Sequence, residues 1–148
     1  KAIKIDPEDS ISIADKAYAE LLLEDFENSI RDAKRAILLD SENSLAFYYL
    51  AISKYRLGRT SGALKDISKA INIEPEDEEY LNLRGLIYIE IKNYAGAIED
   101  FSKAIKINPE NAENFIGRGE AKKLNNDFEG AQVDFHKASE LNREWEED

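Results

Sequence analysis

KAINIEPED at residues 69–77 returns as KAIKINPEN at 103–111, and RAILLDSEN at 35–43 and KAIKIDPED at 1–9 hold the same frame, so the chain repeats itself every 34 residues. A fixed period between about 20 and 50 residues marks an array in which each unit buries its apolar face only against its neighbours. The register defines four repeats, 10–43, 44–77, 78–111 and 112–145, expected to form one domain. Residues 1–9 read as the end of a preceding repeat and 146–148 as an acidic tail.

Outward from that anchor, the columns acquire physical meaning. Ala36, Ala70, Ala104 and Ala138 align, as do Ser29, Ala63, Ala97 and Ala131 seven positions earlier, and between them fall Ala33, Ile67, Phe101 and Phe135. This spacing places all three columns on one face of a helix, and small residues there predict close approach by another helix. Upstream in each repeat, Ile13, Phe47, Leu81 and Phe115 precede Ala17, Ala51, Gly85 and Gly119 by four positions, large then small, as an interlocking first helix requires. Asp9, Asn43, Asp77 and Asn111 stand where that first helix begins; their side chains accept its orphan amide hydrogens, stabilising each helix by about 1 kcal/mol. Pro7, Pro75 and Pro109 lie two residues earlier, where they end the preceding helix. The connectors Glu24-Asp25, Gly58-Arg59, Lys92-Asn93 and Asn126-Asp127 are short enough to force antiparallel neighbours.

The period, the small and large columns, the late proline and the turn aromatics Phe26, Tyr94 and Phe128 together resemble the tetratricopeptide repeat over essentially the whole chain. Repeat 78–111 carries Gly85, Tyr88, Tyr94, Ala97, Phe101, Ala104 and Pro109 in that family's pattern. Repeat 10–43 departs from it at Ser29, Ala33 and Ser41, and repeat 44–77 at Thr60, so both are expected to be looser. The resemblance implies an all-α fold, a right-handed superhelical solenoid of antiparallel helix hairpins, whose first helices line a concave groove for a peptide or helix of a partner protein. On the matching columns it implies a groove of Tyr18 and Leu22 with Ile11, Ala14 and Leu21, then Leu45, Tyr48, Ile52 and Tyr55. Glu79, Asn82, Leu86 and Glu90 with Ile89 follow, then Glu113 and Glu120 with Lys123, so half of the groove is apolar and half acidic or mixed. Relatives that bind the acidic tails of heat-shock chaperones clamp carboxylates with Lys and Asn. The matching sites here hold Ala14, Tyr18, Tyr49, Glu79 and Leu83, so no such clamp is expected, and a ligand with an apolar anchor and basic residues fits better.

Composition agrees with a folded, protein-binding chain. Hydrophobic residues make up 43% and charged residues 34%, within the globular range. A net charge of −11 gives counterion release from nucleic acid little to work with. The absence of cysteine removes disulfides and thiolate metal sites. No apolar run reaches the roughly 18 residues of a membrane span, and KAIKIDPEDS lacks the apolar core of a signal peptide. A soluble, cytoplasmic chain without membrane contact is therefore the expectation, although it begins at Lys1 without methionine.

Catalytic chemistry finds no foothold, so no catalytic residue, metal or cofactor is expected. His136 has no orienting partner and is expected in solvent. Glu99 and Asp100 are adjacent on a helix and are expected on its charged outer face, while DPED at 6–9 and PEDEE at 75–79 suit the positive end of a helix dipole. The second helices carry Ile30, Leu64 and Ile98, then Ile37, Ile71 and Ile105, but the last repeat has Gln132 and Ser139 in those columns and Arg143 in the proline column. Burying isoleucine is favourable and burying an unpaired amide is not, so helix 127–142 is expected to cap the array with both polar residues in water. Trp145 is expected either to fold back on that hairpin or to serve as an exposed anchor. Two alternative functions stand beside peptide binding: self-association through the N-terminal face or the convex side, and a regulatory domain of an enzyme lying upstream.

Overall fold

A computed structural model describes residues 7–146 of the chain and the side chains of 8–143. These residues form eight helices: α1 (Pro7–Leu22), α2 (Phe26–Leu39), α3 (Ser44–Arg56), α4 (Thr60–Ile73), α5 (Glu78–Glu90), α6 (Tyr94–Ile107), α7 (Ala112–Leu124) and α8 (Phe128–Glu146). They pair as antiparallel hairpins, α1 with α2, α3 with α4, α5 with α6 and α7 with α8. The chain divides into two compact halves of two hairpins each, Lys1–Pro75 and Glu76–Asp148.

Every hairpin turns by the same backbone device. Glu24, Gly58, Lys92 and Asn126 take left-handed φ values of 59°, 74°, 64° and 66°. Such a residue lets the next amide reach back over the helix end, and Asp25, Arg59, Asn93 and Asp127 donate to the carbonyls of Glu20, Lys54, Tyr88 and Lys122 at 2.8–2.9 Å. Only Gly58 adopts this conformation without Cβ strain. Three of the four turn residues then cap the following helix, with Asp25, Asn93 and Asp127 accepting from Asn28, Gly96 and Gly130. Arg59, at the start of α4, offers no acceptor.

The first-helix caps fall as the sequence predicts at Asn43, Asp77 and Asn111, which accept from the amides of Ala46, Tyr80 and Glu113. Asn43 and Asn111 also donate through Nδ2 to Ser10 and Glu78, each 33 residues earlier. Asp9 is different. The helix α1 already begins at Pro7, and Asp9 lies in its first turn rather than capping it, because proline's fixed φ and missing N–H suit the first helical position. Pro75 and Pro109 do follow helix ends, at Ile73 and Ile107. Where Arg143 replaces that proline, nothing stops the helix, and α8 runs four residues past the expected end. Gln132 and Ser139 are exposed on it. The Trp145 side chain, residues 1–6 of the expected stub and residues 147–148 of the acidic tail lie outside the described residues.

Packing follows the columns. The small residues Ala36, Ala63, Ala70, Ala97, Ala104, Ala131 and Ala138 are all buried. Ser29, in the same columns, is buried too, its hydroxyl donating to the Ala17 carbonyl at 2.8 Å and accepting from Ser53 at 3.0 Å. In the N-terminal half the core clusters are Ala17, Ile30, Ala33 and Leu50, and Ala14, Ala36 and Ala46. In the C-terminal half they are Ala97, Phe101 and Ala121, and Phe115, Ala138 and Leu141. In hairpins α5–α6 and α7–α8 a large ring faces a glycine. A Cβ on Gly85 would lie 2.8 Å from the Phe101 ring, and one on Gly119 would lie 2.7 Å from Phe135.

A buried aspartate recurs in every hairpin. Asp32, Asp66, Asp100 and Asp134 occupy one column of the second helices, and all four are buried. Each is paired with a cation of the first helix: Lys16 at 3.0 Å, Lys54 at 2.6 Å, Arg84 at 2.6 Å, and Arg118 with Lys122 at 2.7 and 2.9 Å. This corrects the expectation for Asp100. Arg84 grips both of its oxygens and draws it between α5 and α6, while only Glu99 stays outside, paired with Lys103. A buried carboxylate is tolerable only with such a partner.

Candidate functional site

In the N-terminal half, α1 and α3 present an apolar and aromatic surface. Helix propensity alone does not expose it; the hairpin packing does, since α3 packs on α1 and α2 and leaves one side of each first helix in solvent. Tyr18 and Leu22 are exposed on α1 with Ile11, and Leu45 is exposed on α3. Tyr48, Ile52 and Tyr55 are half-buried on α3. The Tyr18 ring, 44% exposed, stacks on Tyr49 at a centroid distance of 5.1 Å, and Tyr49 in turn lies 5.8 Å from Tyr48. Tyr18 therefore packs between first helices and faces solvent at once. Ala14, expected in the groove, is instead buried against Ala36 and Ala46, since only a methyl fits at that crossing.

Tyr49, expected only at a site of the missing carboxylate clamp, is the ring on which Tyr18 stacks. Its signal was present: it lies four residues after Leu45 and three before Ile52, on the same side of the helix.

In the C-terminal half, α5 exposes Glu79 and Glu90, and α7 exposes Glu113 and Glu120. Asn82 and Leu86 are half-buried. The Asn82 amide donates to Asn114 Oδ1 at 2.8 Å, and the fully buried Asn114 donates to Glu78 at 2.7 Å, so Asn82 is braced by a polar chain between α5 and α7. Leu86 and Ile89 pack against the Ala97, Phe101 and Ala121 cluster. Among the described residues, this face is acidic with a packed apolar floor.

The carboxyl groups differ in their titration. Burial alone would push Asp134 up, but hydrogen bonds from Arg118 and Lys122 outweigh it and hold the group below the usual carboxylate range. Burial pushes Glu20 up, and the neighbouring Asp32 charge adds to that, because hairpin α1–α2 carries Glu20 in the register where Lys54 and Lys122 stand elsewhere. Lys16 and Arg35 keep Asp32 itself low against its burial. His136 is exposed beside Glu140 at 3.3 Å. Among the described residues, no group of three or more His, Cys, Asp or Glu is placed to hold a metal ion and no helix is long and apolar enough to cross a membrane.

Repeated helix hairpins with open first-helix faces are the architecture of a protein–protein interaction scaffold. The fold is that of tetratricopeptide-repeat proteins. Residues 78–111 match the tetratricopeptide repeat, and residues 46–93 match the Fis1 C-terminal tetratricopeptide repeat. No curated protein matches the sequence significantly. A crystal structure of MamA superposes with a TM-score of 0.88 at 21% identity, covering 98% of this chain and 85% of that one. MamA from residue 41 to its end, from Desulfovibrio magneticus RS-1, gives 0.84 at 23% identity, covering 95% and 78%. The first TPR of Spaghetti (RPAP3), bound to the HSP90 peptide SRMEEVD, gives 0.76 at 17% identity, covering 84% and 97%. At these identities the likeness is one of fold.

Proposed function

We propose that the chain is a non-catalytic scaffold that binds a peptide or helix of apolar and basic character on its first-helix faces. The observation that carries this is the aromatic stack of Tyr18 and Tyr49 with exposed Ile11, Leu22 and Leu45 beside it, an apolar surface left open in a chain of net charge −11. Aromatic rings lend large contact area at low conformational cost, and the chain's net negative charge favours a cationic partner and repels an anionic one. The acidic peptide SRMEEVD, bound by the RPAP3 domain, suits this chain poorly, since Ala14, Tyr18, Tyr49, Glu79 and Leu83 stand where carboxylate-clamping residues are expected.

Fluorescence anisotropy with a labelled basic, amphipathic helical peptide tests the proposal. Binding is expected, weakened roughly tenfold or more by Tyr48→Ala together with Glu79→Lys, and SRMEEVD is expected not to compete. Affinity indifferent to the double substitution would sink it.

A further inference from the structure

The outer face of α2 departs from the rest of the chain in both charge and apolarity. Arg31, Lys34, Arg35 and Leu38 follow the i, i+3, i+4, i+7 spacing that sets side chains on one helix face, and all four are exposed. Leu38, at 82%, is the most exposed large hydrophobic side chain among the described residues. In the other second helices the same position holds Asn72, Lys106 and Glu140. A lone exposed leucine needs no cause, but one ringed by three cations has the make-up of an interface core, apolar and arginine-rich. The guanidiniums are also held in place, since buried Asp32 lies 3.2 Å from Arg35 and 4.0 Å from Arg31.

A matching surface exists on the same chain. Lys1–Pro75 has 11 Lys and Arg against 13 Asp and Glu, whereas Glu76–Asp148 has 9 against 18, so nearly all of the net negative charge sits in the second half. There, Glu113, Ile116 and Glu120 share one exposed face of α7 at i, i+3 and i+7. Ile116 lines, with Phe135 and Ala138, a depression of about 360 Å³ between α7 and α8. Ser139, Asn142 and Arg143 complete its wall, with Arg143 turned back onto the Ser139 carbonyl at 3.4 Å.

We propose that α2 of one copy docks on α7 of a second copy, with Leu38 entering the depression at Ile116 and Arg31, Lys34 and Arg35 facing Glu113 and Glu120. The inference rests on the reading of the first-helix faces as binding surfaces and names one occupant for them. Two different patches meet, so the contact is heterologous and leaves a free patch at each end, which predicts open-ended growth rather than a closed dimer. Two helix faces bury little area, and two chains of −11 repel at long range. Association is therefore weak and strongest at moderate salt, where screening removes long-range repulsion and leaves close pairs.

Sedimentation velocity of the chain across concentrations up to roughly millimolar tests this. The average mass is expected to rise with concentration. Lys34→Glu with Arg35→Glu is expected to weaken association about tenfold or more, as is Glu113→Lys with Glu120→Lys, and mixing the two variants is expected to restore it. Circular dichroism confirms that each variant folds. A wild type that stays monomeric, variants that associate as the wild type does, or a mixture that stays monomeric overturns the proposal. The α2 variant is expected to bind the basic amphipathic peptide normally. Peptide binding without self-association therefore overturns this inference alone, whereas loss of both overturns the proposed function too.

Discussion

Phe101 shows how much one residue's neighbours decide. Its ring is fully buried between Gly85 on its own hairpin and Gly117 on the next, and a Cβ on Gly117 would come closer to it than one on Gly85. The ring has no room to retreat. Gly85→Ala is therefore expected to destabilise by about 1–2 kcal/mol in urea unfolding, overpacking exceeding the helix-propensity gain of about 1 kcal/mol. Adding Phe101→Leu should recover part of that loss. The buried aspartates carry a second prediction at this scale. Asp134→Asn leaves Arg118 and Lys122 without their carboxylate, both about one-fifth exposed, and is expected to cost about 2–4 kcal/mol at neutral pH. Because the folded Asp134 is held low, its contribution is complete above the unfolded value near 4 and fades as pH falls through the folded value. The penalty of Asp134→Asn should shrink in the same acidic window, measured by thermal unfolding across pH.

Single helices and hairpins carry the next level. Helix α4 begins at Arg59 without a side-chain cap, whereas Asp25, Asn93 and Asp127 cap the equivalent helices. Arg59→Asp is expected to stabilise by about 1 kcal/mol, since the exposed Arg59–Glu27 ion pair it removes contributes little. Hairpin α1–α2 holds the opposite kind of imbalance. Glu20 has a buried oxygen with no hydrogen-bond partner beside the buried Asp32, whose charge Lys16 and Arg35 meet at 3.0 and 3.2 Å. The Glu20 carboxyl is raised in the folded state, so its favourable contribution is present below the unfolded value and lost as pH rises through the folded one. Glu20→Gln, and Glu20→Lys still more, should therefore stabilise the protein at pH 7. The gain from Glu20→Gln should vanish below about pH 4, where both states of Glu20 are neutral. A stability gain unchanged between pH 4 and 7 would contradict this.

At the scale of the whole molecule, charge is the unevenly distributed quantity. Glu76–Asp148 bears 18 acidic residues against 9 basic, so its own repulsion opposes compactness more than in Lys1–Pro75. Raising salt from about 10 to 300 mM, which shortens the screening length several-fold, is expected to increase the melting temperature, and amide exchange should slow more in α5–α8 than in α1–α4. Much of the architecture was legible beforehand because it is periodic. The 34-residue register placed the caps Asn43, Asp77 and Asn111, the four connectors and the small columns, each governed by local backbone chemistry or by a single helix face. Asp9 was misplaced because proline can either end one helix or open the next, and residue type does not distinguish the two. The candidate surface was legible as columns only. Tyr18 could be assigned to α1's open side, but its stacking on Tyr49, the burial of Ala14 and the bracing of Asn82 depend on how neighbouring helices meet.

The sequence by itself determined the period, the helices, their turns and the face each helix turns inward, because these follow from hydrogen bonding and side-chain spacing within one segment. Tertiary structure alone decided what each side chain meets across a helix pair. Asp32, Asp66, Asp100 and Asp134 recur at 34-residue spacing as plainly as the alanines do. Yet an aspartate on a helix is a surface residue until a cation from another helix reaches it. Arg84 lies sixteen residues from Asp100 and Arg118 sixteen from Asp134, and only the folding of each hairpin brings them within 3 Å. The same holds for Leu38, whose exposure is a property of the face that packing left uncovered.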